Sequence, residues 1–515
     1  MVYYVEKKLE SGDFLLRRVR DRKKLVLSPD RLKVFAETRH VYGVSNGVVD
    51  TVYESFKDFA ETQMTKDQLS GSPYAQDMKI TKTGCKMQGV SASLASQEDT
   101  TLRIPSYVTD ADIRVCKADS PVMHRVCISG IEIPDSVHTL QNSESTHKDY
   151  NINNMFQFRV AELRIPKTVT KLGDNLFGYN YGAELEDANT FGRVVIGGGV
   201  EILPPVCFAY CAIDDLDIQE GCLEIGYNAF HGAALPGTVR LPNSLGVIRE
   251  RAFHGASGVR CIQFGSGIRG FDQYAFAESS LREITIPENL QYMEASVFEK
   301  CRSLKKAILQ KGVEETYPSM FSGCENLTDV QNIENVTRIA DTTFYKCSKL
   351  TQLAFNPDMQ SIGADAFNSS GIQELDLHFT DIASEEIAIG SEAFRGCKNL
   401  RTVRLRGGIT NLGMLTFADC LNLESVDLTG TDLTVLDHNV FGNCQSLSEV
   451  LLPDNLGEIR DAFSSTPSLR TIMIPESVYR IYDYEFKSVQ YFHVHKGSYA
   501  ESWCKRKKKR YGYAE

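Results

Sequence analysis

A phenylalanine returns every 22 or 23 residues through the middle of the chain. A fixed period of about 20 to 30 residues is the signature of a solenoid, in which each short unit buries its apolar face against its neighbours. We therefore expect an extended surface instead of a deep cleft. The series consists of Phe208, Phe230, Phe253, Phe276, Phe298, Phe321, Phe344 and Phe367, and after one longer step it continues with Phe394, Phe417, Phe441, Phe463 and Phe486.

Each unit begins with a half-buried strand that a proline ends. In the segment 281–287, the alternation directs Ile284 to one side of the strand, and Glu283 and Thr285 to the other. Pro287 has no N–H to donate to a strand ladder, so it ends the strand in a turn. The second half of the unit then places its phenylalanine in the interior, where the large ring fills one layer of the repeat. We call this place the plug position. The proline recurs at Pro105, Pro134, Pro166, Pro242, Pro453 and Pro475.

The composition excludes some classes of function. A formal net charge of −11 over 515 residues disfavours a general nucleic-acid binder, because phosphate contacts need a positive surface. No run of about 18 apolar residues is present, so no membrane span is predicted. The first eight residues carry charges where a signal peptide needs an apolar stretch, which favours a cytoplasmic location.

Half of the 14 cysteines recur at one position of the repeat, three residues after a periodic phenylalanine. They do not form C-x-x-C pairs, so a ladder of small, buried free thiols is favoured over disulfides. The seven are Cys211, Cys301, Cys324, Cys347, Cys397, Cys420 and Cys444.

The unit resembles the repeat of the BspA-type leucine-rich repeat family, Leu-x-x-Ile-x-Ile-Pro-x-x-Val-x-x-Ile-Gly-x-x-Ala-Phe-x-x-Cys. Close matches are the segments 225–230, 362–367 and 393–400, and 496–503 resembles a closing segment of such arrays. The resemblance covers about residues 100–515. It implies a β-rich leucine-rich repeat solenoid of about 16 units of 22–23 residues, with a parallel sheet on the concave side. It also implies bacterial or protist proteins that are often displayed on cells, which makes the cell surface the alternative location.

Three domains are expected. Residues 1–98 fall outside the period and predict a small α+β N-terminal cap domain, with strands at 2–5, 14–16 and 25–27, a helix starting near Pro29 and helical spacing over 48–63. A loop is expected at 91–96. The solenoid follows over 99–490, and 491–515 is a C-terminal closing segment with a basic tail at 505–510. A cap is needed because the end of a solenoid otherwise exposes apolar surface.

The early repeats are less regular. Phe156 and Phe177 are predicted to take the plug position, and residues 178–189 are predicted to be an inserted loop.

Motifs that could carry chemistry are weak. Gly265, Gly267 and Gly270 match G-x-G-x-x-G after a strand, but no long helix follows to hold a pyrophosphate, so we interpret them as a turn. His493 and His495 share one face of an expected final strand, where exposed histidines are a simpler explanation than a metal site. No catalytic residue, cofactor or metal is predicted.

The outward residues of the strands form two columns that are mostly polar and mixed in charge, which suits a protein partner better than a uniform polymer. The apolar members Ile308, Leu451 and Met473 are candidate anchors, with scattered exposed apolar residues as the alternative. A slip of one residue would place the whole set on the other face. The predicted partner-binding residues on the concave face are Glu283, Thr285, Lys306, Ile308, Asp329, Gln331, Gln352, Glu374, Asp376, Arg404, Asp427, Leu451 and Met473.

These observations predict a non-enzymatic protein-protein interaction or adhesion protein, which binds a protein partner, such as a host or matrix protein, through the extended solenoid surface. The alternative is that residues 1–98 are a small effector or nucleic-acid-binding module, with the repeats as targeting arm. Its support is a basic hairpin containing Arg17, Arg18, Arg20, Arg22, Lys23 and Lys24. The basic tail at 505–510 could contact phosphate, anionic lipid or an import receptor, or be the solvated end of a helix.

Overall fold

The protein is described from a computed structural model. It divides into two compact units, Met1–Ile268 and Arg269–Glu515, which are described separately. The structure describes residues 2–18, 23–38, 40–42, 44–45, 48–49, 56–69, 78–80, 85–87, 101–113, 126–141, 156–178, 188–380, 388–482 and 486–514.

The first unit begins with a small α+β structure. Strands Val2–Lys8, Phe14–Arg18 and Lys24–Leu27 form an antiparallel meander, and His40–Tyr42 adds to the free edge of the first strand in parallel. Helix Pro29–Thr38 covers this sheet, and it starts at the proline as predicted. The sheet and the helix share a buried core. It includes Val5, Leu16 and Val41 from the strands and Leu32 from the helix.

A second helix lies later than the spacing over 48–63 indicated. Val48–Val49 instead pairs with Val44–Ser45 as a short antiparallel ribbon, and the helix spans Phe56–Leu69. Phe59 is fully buried, and its ring stacks on Tyr4 with centroids 4.8 Å apart. The β-branched Val48 and Val49 favour a strand, which explains why the periodicity alone was misleading. The loop predicted at 91–96 lies outside the described residues.

Each repeat contributes up to two strands, which we call the A-strand, in the first half of the repeat, and the B-strand, in the second half before the periodic phenylalanine. In the first unit, the B-strand sheet starts at Cys85–Met87, which pairs in parallel with Asp110–Asp112 and is flanked by the antiparallel strand Met78–Ile80. The predicted boundary at residue 98 stays a prediction. The A-strands here are Thr101–Arg103, Val126–Ile128, Gly130–Glu132, Phe156–Ile165, Thr190–Ile196, Ala212–Ile218, Thr238–Arg240 and Cys261–Gln263. The other B-strands are Thr139–Gln141, Lys171–Leu172, Ile202–Leu203, Glu224–Ile225 and Val247–Ile248.

The second unit continues the same pattern with parallel pairing throughout its described ladders. Its A-strands are Glu283–Thr285, Lys306–Ile308, Asp329–Gln331, Glu374–Phe379, Thr402–Gly407, Ser425–Thr431, Glu449–Leu451, Thr471–Met473, Tyr491–Val494 and Tyr511–Tyr513. Its B-strands are Gly270–Phe271, Tyr292–Met293, Arg338–Ile339, Ser361–Ile362, Val435–Leu436, Glu458–Ile459 and Arg480–Ile481. A short 3-10 helix spans Ile333–Asn335, and helix Tyr499–Lys507 lies near the end.

The proline turns form as predicted. A-strand Glu283–Thr285 ends two residues before Pro287, and the carbonyl of Pro287 then accepts a hydrogen bond from the N–H of Leu290. The equivalent bond closes the turn in both units, so the proline sets where each strand stops and where the chain reverses. The other bonds join Val108 to Pro105, Val137 to Pro134, Val169 to Pro166, Leu245 to Pro242, Leu456 to Pro453, and Val478 to Pro475.

The periodic phenylalanines form a stacked ladder inside each unit. Successive rings from Phe276 to Phe486 are stacked with centroids 5.1 to 5.9 Å apart. From Phe276 to Phe441, the backbone N–H of each ladder phenylalanine also bonds to the next repeat, as from Phe321 to the carbonyl of Thr343 at 3.0 Å. In the first unit, Phe177 joins the ladder as predicted and stacks on Phe208 at 5.2 Å. Offset stacking of this kind is a favourable aromatic geometry.

The prediction for Phe156 is wrong. This residue starts the ten-residue strand Phe156–Ile165 instead of occupying a plug turn, and it pairs with Val126 in the sheet. The next aromatic, Phe158, is fully buried and contacts the ring of Phe177 edge to face at 5.5 Å. Gln157 and Arg159 on either side of it are more exposed, so Phe158 points inward at this place in the strand. Most of the inserted loop, residues 179–187, lies outside the described residues.

The recurring cysteines lie beside the phenylalanine ladder, and all seven are buried. Each thiol donates a hydrogen bond to the carbonyl of the plug phenylalanine one repeat earlier, as from Cys420 Sγ to Phe394 O at 3.2 Å. Burial raises the pKa of these thiols, so they remain neutral. At this position of the repeat, cysteine therefore acts as a small buried side chain and a weak hydrogen-bond donor. Equivalent distances of 3.0 to 3.3 Å hold for Cys211, Cys301, Cys324, Cys347, Cys397 and Cys444.

A helical closing segment ends the second unit. Ser498 caps helix Tyr499–Lys507 by accepting from the N–H of Glu501, and the Glu501 carboxylate accepts from the N–H of Gly497 at 2.7 Å. This arrangement resembles a capping box, except that Glu501 binds the N–H of Gly497 instead of that of the N-cap residue Ser498. Trp503, which is 1% exposed, packs against the rings of Phe486 and Phe492. The helix therefore covers the last plug of the ladder.

The closing segment is expected to loosen in acid because of Glu501. Its carboxylate accepts from Lys505 Nζ at 2.6 Å, from Gly497 and from the Tyr513 hydroxyl, and these bonds lower its pKa to about 2. A depressed pKa stabilises the folded state above the ordinary value of 4.5, and this contribution is lost as pH falls through about 2. Fluorescence of Trp503, the single tryptophan, should follow the loss.

The matched comparison uses two substitutions. Glu501→Gln should remove most of this acid dependence, whereas Glu476→Gln, at an exposed position, should leave the pH profile as in the parent protein. Identical profiles for the parent and Glu501→Gln would contradict the assignment.

Candidate functional site

The candidate site is the outward side of the A-strands in the unit Arg269–Glu515, which we call the A-face. Glu283 pairs with Lys306 and then Asp329, while Thr285 pairs with Ile308 and then Gln331, so the two predicted columns are in register. The second sheet continues them. There Glu374, Thr402, Ser425 and Glu449 form one column, and Asp376, Arg404, Asp427 and Leu451 form the other.

The side chains of both columns point away from the core. In Glu283–Thr285, Thr402–Gly407 and Thr471–Met473, buried central residues alternate with exposed neighbours. None of the 13 predicted residues is buried, although Lys306, Ile308, Asp329 and Asp427 are only half-exposed. Their role in binding a partner remains a prediction.

Two of the predicted residues lie in a different environment from the one that the sequence indicated. Gln352 is exposed, but residues 351–356 form no strand, so the column is interrupted there. This repeat has one more residue between its first leucine and its proline, from Leu350 to Pro357, than the repeat that runs from Leu281 to Pro287. Ile308 is half-buried between Thr285 and Gln331, so it is a weaker anchor candidate than its sequence indicated.

The middle of the A-face is a network of charged side chains. Arg404 lies between two carboxylates, with Nη1 3.7 Å from Asp376 and Nε 3.4 Å from Asp427, and Arg406 approaches Asp376 at 3.9 Å. Hydrogen bonds from Thr429, together with Arg404, lower the pKa of Asp427. These exposed pairs contribute little to stability, but they fix a pattern of alternating charge.

The last repeats of the A-face carry a cluster of exposed apolar side chains, which we call the apolar patch and which consists of Leu451, Met473 and Tyr491. These side chains are 44%, 46% and 39% exposed. Thr471 pairs with Tyr491, and Met473 pairs with His493, so Tyr491 stands diagonal to Met473 on the neighbouring strand. Leu451 lies on the A-strand that precedes that of Met473 in the chain. The sequence analysis predicted His493 as an exposed strand residue but missed Tyr491, although the alternation in 491–494 indicates its outward direction.

The weaker motifs have structural explanations. Gly265 and Gly267 form part of a turn, and a Cβ at either would lie within 2.3 Å of the carbonyl oxygen of Pro242 or Asn243. Close packing on the preceding repeat therefore requires these glycines. His493 lies in a strand, but His495 follows it. Among the described residues, no group of three or more potential metal ligands is present.

The basic segments are partly used within the structure. Arg17 Nε contacts Glu6 at 2.6 Å, while Arg20 and Arg22 lie outside the described residues. In the tail, Lys505 pairs with Glu501, and Lys509 Nζ bonds to the carbonyl of Phe486 at 3.0 Å. Two of the basic residues in the tail therefore hold the closing helix in place. In the part of the chain that the structure describes, no helix is long and apolar enough to span a bilayer.

Comparisons with known proteins agree with this architecture. The family described as "BspA type Leucine rich repeat region" matches residues 201–328, 271–385 and 376–493, which together exceed half of the chain. The chain belongs to this family of leucine-rich repeat proteins, and its fold is a β-rich leucine-rich repeat solenoid. None of the curated proteins compared with the chain matches it.

Solved structures of bacterial leucine-rich repeat proteins are similar at low identity. A leucine-rich repeat protein from Bacteroides ovatus is 19% identical over 85% of this chain and 98% of its own, with a TM-score of 0.48. One from Eubacterium ventriosum is 19% identical over 66% of this chain and 84% of its own, with a TM-score of 0.36. A leucine-rich cell surface protein from Faecalibacterium prausnitzii is 14% identical over 82% and 94%, with a TM-score of 0.30.

Proposed function

We propose that this protein is a non-enzymatic binding protein that captures a protein partner on the A-face, with the apolar patch as the main anchor. The observation that carries the proposal is the exposure of Leu451, Met473 and Tyr491 on the outward side of successive A-strands. Exposed apolar side chains surrounded by polar ones are typical of protein-binding surfaces. A general protein-interaction or adhesion role also fits the family.

The apolar patch and the charged network of the A-face are expected to contribute differently to binding. Binding energy concentrates in a few side chains that lose their water, and aromatic residues are common among them. Arg404 and its carboxylate neighbours are already paired with one another, so they are expected to orient the partner more than to hold it. The partner should therefore present an apolar or aromatic protrusion, flanked by charges that match Asp376, Arg404 and Asp427.

The family favours a location at the cell surface. Proteins of this type are often cell-surface proteins. Extracellular proteins are therefore the first candidates to test as partners, and cytoplasmic proteins are the alternative.

The test is a comparison of variants. Partners captured by the intact protein are identified by mass spectrometry, purified and measured by surface plasmon resonance. The double variant Leu451→Asp, Met473→Asp should weaken binding at least about tenfold, because each charge must be desolvated in an apolar contact. The double variant Glu283→Lys, Asp329→Lys should change mainly the association rate and its dependence on salt.

The matched control is Met414→Asp. Met414 is 51% exposed, close to the value for Met473, but it lies outside the A-strands. Equal loss of binding in Met414→Asp and in the patch variant would indicate a nonspecific effect, and full binding by the patch variant would exclude the apolar patch as the anchor.

A further inference from the structure

A second surface of the unit Arg269–Glu515 carries an open polar groove with a volume of about 550 Å³. It shares no residue with the A-face and is formed along the turns that hold the phenylalanine ladder. Its lining extends from Tyr345, directly after Phe344, to Asn443, two residues after Phe441. Five successive repeats therefore contribute to it, and its size falls within the range of small-molecule sites.

One side of the groove is organised around Arg395. Its Nε donates to Asp419 Oδ2 at 2.9 Å, and its Nη1 donates to Glu392 Oε2 at 2.8 Å. Asn443 Nδ2 donates to the other oxygen of Asp419, also at 2.9 Å. The bonds from Asn443 and Arg395 lower the pKa of Asp419, so this carboxylate stays ionised. These planar groups come from three successive repeats and hold one another in fixed orientations.

The other side is organised in the same way by amide and hydroxyl groups. Asn368 Nδ2 donates to Asp365 Oδ1 at 2.6 Å, and Ser369 Oγ donates to Asn368 Oδ1 at 2.8 Å. Tyr345 and Leu421 add apolar surface to the lining. The groove thus combines oriented donors and acceptors with a small apolar contribution.

The charges of the groove largely compensate one another. Three carboxylates, Asp365, Glu392 and Asp419, face two cations, Arg395 and Lys398. Arg395 is engaged on both sides by carboxylates, so an anionic or cationic ligand would have to compete with existing ion pairs. A neutral ligand with many hydroxyl groups needs no such rearrangement, because a hydroxyl can both donate and accept a hydrogen bond.

We propose that this groove binds a short neutral oligosaccharide. Sugar hydroxyls can donate to the carboxylate oxygens and accept from the amide and guanidinium groups of the lining, and Tyr345 and Leu421 supply apolar surface for the C–H groups of the sugar. This site is independent of protein capture by the A-face, and the protein would then have two separate binding surfaces.

The experiment applies the full-length protein to an array of neutral and charged glycans, and the strongest neutral binder is then measured by isothermal titration calorimetry. Arg395→Ala and Asp419→Asn are each expected to weaken binding by about tenfold or more, as for the loss of charged hydrogen bonds. The affinity for a neutral sugar should be almost unchanged between 0.1 and about 0.5 M salt, because screening acts on charged ligands.

The matched control is Lys300→Ala. Lys300 is also an ion-paired cation beside a ladder phenylalanine, with Glu278 and Glu299 as partners, but it lies outside the groove. It should bind the sugar as the parent protein does. The proposal is overturned if no neutral glycan binds, if the Arg395 and Asp419 variants bind as well as Lys300→Ala, or if the bound glycan is charged and released by salt.

Discussion

Replacement of Phe321 by alanine is expected to lower the free energy of unfolding of its region by about 3 to 5 kcal/mol, as for other large aromatic side chains removed from a core. The Phe321 ring is fully buried between Phe298, at 5.8 Å, and Phe344, at 5.9 Å. Its removal leaves a cavity that borders three consecutive repeats. Because repeats contact mainly their neighbours, the effect should be strongest next to the substitution.

Urea unfolding followed by circular dichroism measures the total loss, and hydrogen exchange with mass spectrometry locates it. The matched control is Phe355→Ala, which removes a half-buried ring that meets Phe367 edge to face at 5.6 Å, outside the stacked ladder. Its cost should be clearly smaller. Equal costs at the two positions, or unchanged exchange around residues 298 and 344, would contradict the role of the ladder.

Replacement of Trp503 by alanine is expected to have an effect of similar size at the end of the chain. Trp503 is 1% exposed, and its ring lies 5.6 Å from Phe492 and 6.3 Å from Phe486. Its loss should cost about 3 to 5 kcal/mol in the stability of the closing segment, because Phe486 and Phe492 lose their cover. Hydrogen exchange of strand Tyr491–Val494 and of helix Tyr499–Lys507 provides the measurement.

Trp503→Phe separates packing from hydrogen bonding at this position. The indole Nε1 is buried and has no hydrogen-bond partner among the described residues, so its removal sacrifices no bond. Phenylalanine should therefore cost only about 1 to 2 kcal/mol, from the smaller ring. A phenylalanine variant as unstable as the alanine variant would argue that the closing segment depends on something other than the aromatic contact.

The repeat architecture was predictable because each unit packs against near copies of itself. The period of Phe208 to Phe486, the recurring proline after seven of the A-strands and the cysteine three residues after the phenylalanine all took the places that the sequence indicated. A residue that recurs at one position necessarily meets its own equivalent in the next unit. Local sequence thus sufficed to predict the contacts of the core.

The turns around each phenylalanine were not predictable in this way. Val206 and Leu415 adopt positive φ angles of 60° and 59°, two residues before Phe208 and Phe417, although these side chains disfavour this conformation. Backbone bonds between repeats overcome the cost, since the N–H of Val206 bonds to Tyr227 and that of Leu415 bonds to His438. The conformation is imposed by the neighbouring repeat.

The sequence by itself determined the repeat, its buried ladder and the outward direction of most A-face residues, because these depend on alternation and period within one unit. Only the tertiary structure showed that Gln352 lies outside the strand ladder, that the strand of Tyr491 pairs with that of Met473, and that Arg395, Asp419 and Asn443 form one network. The physical reason is that these features depend on side chains that differ from one repeat to the next and meet only across repeat boundaries.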